Sequence, residues 1–190
     1  YDLEEPNTFV ADIKKCLHND GIWIIQMNYL GSMLDDLSFD NICHEHLQYY
    51  SLISLKNILD RHDLKIIDVE VNDINGGSFR IYIKHFGEAE PSVENMLNKE
   101  LRQGLDNIEV YKKFELDIEN IKTDLVEILS KLNKLGKKIY IYGASTRGLV
   151  VLQYCNIDNK LAQKAIDIDE TKWGKYIVGT GIEISKPGDF

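Results

Sequence analysis

The sequence predicts an α/β protein, because short apolar runs of strand length alternate with stretches in which apolar residues recur every three or four positions. Ile22-Trp23-Ile24-Ile25 and Ile139-Tyr140-Ile141-Tyr142 carry the strand signal most strongly. Between them, from Pro91 to Leu135, the chain has no further proline and one glycine, Gly104, which predicts a long helical connector between two lobes. With 190 residues and 44% hydrophobic content the chain can bury a core. Its formal charge of −9 opposes binding to a nucleic-acid backbone, which needs a basic surface to displace counterions.

In order along the chain, Phe9, Val10, Ile13 and Leu17 mark an amphipathic helix from Pro6, with proline suited to its first turn and Asn19-Asp20-Gly21 to its end. Gly21 to Met27 then reads as a strand covered on both faces. Ser51 or Ser54 is placed to cap a helix running to about Arg61, with Leu55, Ile58 and Leu59 as its buried stripe. Leu64 to Val71 and Ser78 to His85 alternate as two strands around Asp73-Ile74-Asn75-Gly76-Gly77. That turn exceeds a two-residue hairpin, so direct pairing is left open, as is the choice between a bulge and a close ligand approach at the two glycines. Leu105 to Leu132 keeps helical spacing in one or two helices, with its charges a solvated face and a break expected near Gly104.

The last lobe opens on the strand at Ile139, the loop Gly143-Ala144-Ser145-Thr146-Arg147-Gly148 and a helix from Leu149 to Tyr154. Strand, glycine loop and helix make a phosphate site, since the helix amides and dipole face the loop. A plain turn with a helix cap fits the same residues. Ser145 replaces the middle glycine of the dinucleotide fingerprint, which weakens an NAD reading. Ala165 to Asp169 reads as a strand ending in acid, and Asp167 is placed for a ribose.

The densest chemistry lies in Phe39-Asp40-Asn41-Ile42-Cys43-His44-Glu45-His46, followed by Leu47-Gln48-Tyr49-Tyr50-Ser51. Histidine near neutral pKa beside a carboxylate suits general base work. An extended segment would put both rings on one side and Glu45 opposite, so a metal could be held there, although no third ligand is evident and no metal is assigned. Cys16, Cys43 and Cys155 are too far apart for a zinc knuckle or a disulfide framework, which fits a reducing cytoplasm. No apolar run approaches the length that spans a bilayer.

Together, Phe39-Asp40-x-Ile42-x-His44-Glu45-His46-Leu47-x-Tyr49-Tyr50-Ser51, then Gly76-Gly77-Ser78-x-Arg80, then Tyr142-Gly143-Ala144-Ser145-Thr146-Arg147-Gly148 resemble the S-adenosylmethionine-dependent C-methyltransferases of nucleotide-linked keto-deoxysugars. The resemblance covers essentially the whole chain. It implies the C-terminal part of a Rossmann-type methyltransferase domain over residues 1–86, a helical connector over 87–135 and a partial Rossmann-like nucleotide-sugar lobe over 136–190. It also implies methylation of a carbon next to a ketone through an enolate, with His46 as base beside Glu45 and His44. Cys43 stands where the family usually has tyrosine. Cys43, Gly76, Gly77, Ser78, Arg80, Gly143, Ser145, Thr146, Arg147 and Asp167 are the implied substrate contacts.

The resemblance places the S-adenosylmethionine motif, and a zinc-binding lobe, before Tyr1. Tyr1 is not a methionine and leads straight into the first helix, so the chain reads as a fragment, expected to be inactive alone. The rival readings are an NAD-linked nucleotide-sugar oxidoreductase and a non-catalytic nucleotide-binding module. Sugar identity, the methylated carbon and oligomeric state are not encoded in recognisable motifs.

Overall fold

The structure, a computed structural model, describes residues 2–189; the expected ends at Tyr1 and Phe190 fall outside that range. It is a mixed α/β protein that divides into two compact units, residues 2–38 with His44–Phe114, and Phe39–Cys43 with residues 115–189. The division differs from the expected boundaries at 86 and 135 in two respects. The helix after Pro91 packs into the first unit, and a short segment before the histidines belongs to the second.

In the first unit, α1 (Pro6–Cys16) starts on proline and leads to β1 (Trp23–Asn28). Two further strands, β2 (Lys65–Asn72) and β3 (Ser78–Lys84), complete an antiparallel sheet of order β1-β3-β2. β2 and β3 pair directly despite the long turn, with Ile67 as a bulge between the Ile66–Ile83 and Asp68–Tyr82 pairs. One sheet face carries Phe79, Ile81 and Ile83, each fully buried, with Ile66 and Val69 beside them and Trp23, Ile25 and Met27 packed against the same core. Burying each such side chain contributes about 1.5–3 kcal/mol.

The opposite face is polar. Arg80 meets Gln26 and Glu70, its register neighbours on either side, and the Tyr82 hydroxyl donates to Glu70. Ile24 is 52% exposed there, so β1 is not covered on both faces as its continuous apolar run predicted. Alternation in an antiparallel sheet puts Ile24 on the side away from Trp23 and Ile25, and the buried core lies only on the latter side.

α1 packs Val10 into that core, and two further helices close it. α3 (Leu52–Asp60), which follows the short α2 (Leu30–Asp35), buries Leu52, Leu55 and Leu59. Both predicted caps act together in α3: Ser51 accepts from the Ser54 amide while Ser54 accepts from that of Ser51, a reciprocal capping box. α4 (Pro91–Gln103) buries Val93, Met96 and Glu100 and ends at Gly104, whose left-handed conformation, φ 76°, stops the helix.

α5 (Ile108–Lys134) is a single helix of 27 residues. In the second unit, β4 (Tyr140–Tyr142), β5 (Lys164–Ile166), β6 (Tyr176–Ile177) and β7 (Ile182–Ser185) form a sheet of order β4-β5-β7-β6. The first three strands in that order are parallel, and β6 is antiparallel at the edge. α6 (Thr146–Tyr154) crosses from β4 to β5, giving the expected Rossmann-like strand, loop and helix. β5 ends at Ile166, earlier than expected; the Asp167 amide still donates to the Ser185 carbonyl of β7 while its carboxylate braces the glycine loop.

Candidate functional site

The segment around the histidines is built from two anchors. Phe39–Asn41 forms a 3-10 turn in the second unit, with Phe39 and Asn41 buried. The Phe39 ring lies 5.2 Å from that of Tyr154 at the end of α6, and the Asp40 carboxylate accepts from Arg147 Nε at 2.6 Å. At the other end, the Leu30 amide donates to the Tyr50 carbonyl, Tyr29 and Tyr50 form an isolated bridge, and Ser51 caps α3.

Between the anchors the chain turns at His44–Glu45 instead of staying extended. The turn brings His44 Nδ1 to 3.3 Å from a Glu45 carboxylate oxygen, so Glu45 does not lie opposite the ring as an extended segment would place it. His44 is 89% exposed, whereas His46 is half-buried with its ring edge-on to Tyr49 at 6.3 Å. Such a partly desolvated imidazole can take a proton from a bound molecule. Among the described residues, no three His, Cys, Asp or Glu side chains converge to hold a metal ion.

Glu100 and Tyr29 support the Ser51 anchor. The fully buried Glu100 carboxylate accepts from the Leu52 and Ile53 amides at 2.5 and 2.8 Å, at the start of α3. Burial pushes the Glu100 pKa up against those two bonds. The Tyr29 hydroxyl is buried close to this carboxylate without reaching hydrogen-bond geometry, and burial with the Glu100 charge raises its pKa strongly. Glu100 belongs to none of the sequence motifs. Val93, Met96 and Glu100 nevertheless follow helical spacing, and an acid on an apolar stripe signals a buried polar contact.

Gly76 and Gly77 have φ of 81° and 109°, and a Cβ on Gly77 would sit 2.5 Å from Ser32 Cβ. The Gly77 carbonyl accepts from the Tyr29 amide, and buried Ser78 donates to the Ile74 carbonyl. These residues lock the β2–β3 turn onto the end of β1. Arg80 lies on the polar sheet face, held by Gln26 and Glu70.

In the glycine loop, the Gly143 amide donates to the Ile166 carbonyl, the Ala144 amide to Asp167 and the Gly148 amide to Ser145 Oγ. Asp167 also accepts from the Asp169 amide and from Lys172, whose ammonium bonds the Ala144 carbonyl too. The two amide bonds and the Lys172 charge hold the Asp167 pKa down to about 2. Asp167 thus braces the loop, and a ribose would have to share its oxygens. Lys172 has no signature in the sequence because its partners are 28 and 5 residues away.

A cleft of about 200 Å³ is lined by Ser145, Thr146, Leu149, Tyr176 and Val178, large enough for a phosphate group or sugar ring but not a whole nucleotide. A similar cleft of about 210 Å³, between Pro6, Phe9, Trp23, Ile25, Tyr50 and Ile58, is almost wholly apolar and offers no converging polar groups. No helix among the described residues is long and apolar enough to cross a membrane.

Residues 73–190 match the C-methyltransferase C-terminal domain family. This chain belongs to that family. It is also 30% identical over 178 residues to the C-methyltransferase NovU of Streptomyces niveus, a match that covers 92% of the chain and 42% of the relative. The chain therefore spans less than half the length of the C-methyltransferase it matches. The family match takes in the Gly76-to-Arg80 turn and the glycine loop, and the longer alignment takes in nearly all the rest. In the Gly143–Gly148 turn between β4 and α6, Asp167 and Ser145 already hold two amides.

Proposed function

We propose that the chain is part of an S-adenosylmethionine-dependent C-methyltransferase that methylates the carbon next to the ketone of a nucleotide-linked deoxysugar, and that the 190 residues alone are inactive. The observation that carries this reading is His46, half-buried against Tyr49 on a segment anchored at both ends, within a C-methyltransferase family chain. Carbon methylation needs a carbanion equivalent, and a ketone supplies one once a base removes the neighbouring proton as an enolate. His46 takes that proton. Glu45 and His44 complete the polar wall, and Cys43 takes the place of a hydroxyl that would otherwise hydrogen-bond the substrate oxygen. When bound, S-adenosylmethionine would supply the methyl group.

The Gly143–Gly148 loop receives the diphosphate. The amides of Ser145 and Thr146, at the start of α6, have no acceptor among the described residues, and the helix dipole favours an anion there. Gly76, Gly77 and buried Ser78 serve the site by locking the β2–β3 turn, and Arg80 offers a charge to the substrate. The test is methyl transfer by the full-length protein from S-adenosylmethionine to a nucleotide-linked keto-deoxysugar, followed by mass spectrometry. Product with a new carbon–methyl bond is expected, and its absence with hydride transfer from a nicotinamide cofactor instead would overturn the proposal. On the 190-residue chain, calorimetry with S-adenosylmethionine should show no heat of binding.

A further inference from the structure

We infer that Tyr49 is the positioning residue of His46, holding the imidazole in one orientation through an edge-to-face ring contact. That His46 takes a proton from a substrate rests on the proposed function; the contact itself does not. The two rings lie 6.3 Å apart with their planes at 69°, an arrangement that the quadrupoles of aromatic rings favour. Both residues are half-buried, and both belong to the first unit. The Tyr49 ring is held in its turn because its chain neighbours are tied to the body of that unit. The Gln48 amide is engaged at both ends, its oxygen accepting from the Tyr50 hydroxyl and its nitrogen donating to the Leu3 carbonyl at 3.2 Å. Tyr50 is buried, bridges Tyr29 and accepts from the Leu30 amide through its carbonyl. Ser51 follows as the cap of α3, and Glu100 accepts from the next two amides. The backbone on either side of Tyr49 is thus fixed, and its ring projects from a rigid support.

Core packing does not account for an aromatic residue at this position. The hydrophobic core of the unit gathers Tyr29, Tyr50, Leu52 and Phe79 and leaves Tyr49 outside it. What the ring does contact is the imidazole three residues earlier. A base must aim one ring nitrogen at the proton it takes. His46 lies on a stretch with neither helix nor strand, where an imidazole has several χ1 wells and a broad χ2 open to it. A fixed ring against one side of the imidazole closes some of those wells before a substrate arrives, and orientation established in advance lowers the barrier.

The test reads the Hα–Hβ couplings of the five histidines in the 190-residue chain by NMR, since these report whether χ1 stays in one well or averages over several. Wild-type His46 is expected to show the couplings of a single rotamer. Tyr49→Leu should average them while the thermal midpoint and the couplings of His18, His62 and His85 stay as in wild type, and Tyr49→Phe, which keeps the ring, should retain the single rotamer. Unchanged His46 couplings in Tyr49→Leu would overturn the inference, as would averaging in Tyr49→Phe as complete as in Tyr49→Leu. A fall in midpoint with all five histidines disturbed would make Tyr49 a general structural residue and overturn it as well. In the full-length enzyme, Tyr49→Leu should lower kcat for methyl transfer by up to about 10²-fold, the scale of an ångström-sized misplacement, with KM for the nucleotide sugar unchanged, and Tyr49→Phe should recover most of the loss. Added to His46→Ala, Tyr49→Leu should slow the reaction no further, because a residue that acts through His46 has nothing left to position. The couplings are read without substrate, so the two readings fail separately: averaged couplings in Tyr49→Leu with undiminished kcat would uphold the contact and remove His46 as the base.

Discussion

Glu100 and Asp167 are both buried acids that accept two backbone amides, yet they respond to pH in opposite directions. Glu100 has a folded pKa above its ordinary 4.5 because desolvation outweighs its bonds. The folded state therefore holds a proton that the unfolded chain has released, so the Glu100 contribution is full below about 4.5 and is lost as pH rises through the folded value. Urea unfolding of wild type and Glu100→Gln should show the wild type losing stability relative to the variant as pH rises from 4.5; a constant difference would contradict the burial argument. Glu100→Ala, which strips acceptors from two α3 amides, should cost about 1–3 kcal/mol below pH 4.5, where the Glu100 contribution is full. Asp167 behaves conversely. With a folded pKa near 2 against an ordinary 3.8, its contribution is present above 3.8 and is lost as pH falls towards 2. A carboxyl NMR titration should place its midpoint near 2, whereas a midpoint at 3.8 would show that the brace on Ala144 and Asp169 is absent in solution.

Single elements were legible in the sequence wherever local chemistry decided them. Pro6 and Pro91 start helices, Gly104 ends one and Ser51 with Ser54 caps another, because each feature depends on a residue's own backbone preferences. What the sequence did not disclose were partners brought in from a distance. The exposed face of β1 depends on which layers cover the sheet, and the turn at His44–Glu45 carries no glycine or proline to announce it. The Gly76-Gly77 turn, left open between a bulge and a ligand approach, is a tight junction in which Gly77 meets Ser32 and Tyr29. Gly77→Ala should destabilise the first unit by about 1–3 kcal/mol, from the strained φ of 109° and the Cβ contact at 2.5 Å. A denaturant midpoint unchanged from wild type would mean that the turn relaxes without cost.

At the scale of the whole chain, two units with separate cores share one feature, the Phe39–Cys43 segment that belongs to the second unit while the residues on both sides belong to the first. The Phe39-to-Ser51 and Tyr142-to-Gly148 motifs, far apart in sequence, meet in one contact, Asp40 with Arg147. The interleaving predicts that the chain cannot be cut near residue 86 or 135 into independent pieces without removing partners from both. The central claim is that His46 removes a proton next to a ketone, and solvent exchange measures this step without the methyl donor. Incubated in deuterium oxide with a nucleotide-linked keto-deoxysugar and no S-adenosylmethionine, the full-length protein should incorporate deuterium at the carbon beside the ketone, and His46→Ala should slow that incorporation by about 10²- to 10⁴-fold with its thermal midpoint unchanged. Incorporation by His46→Ala within tenfold of wild type would place the base elsewhere and contradict the claim.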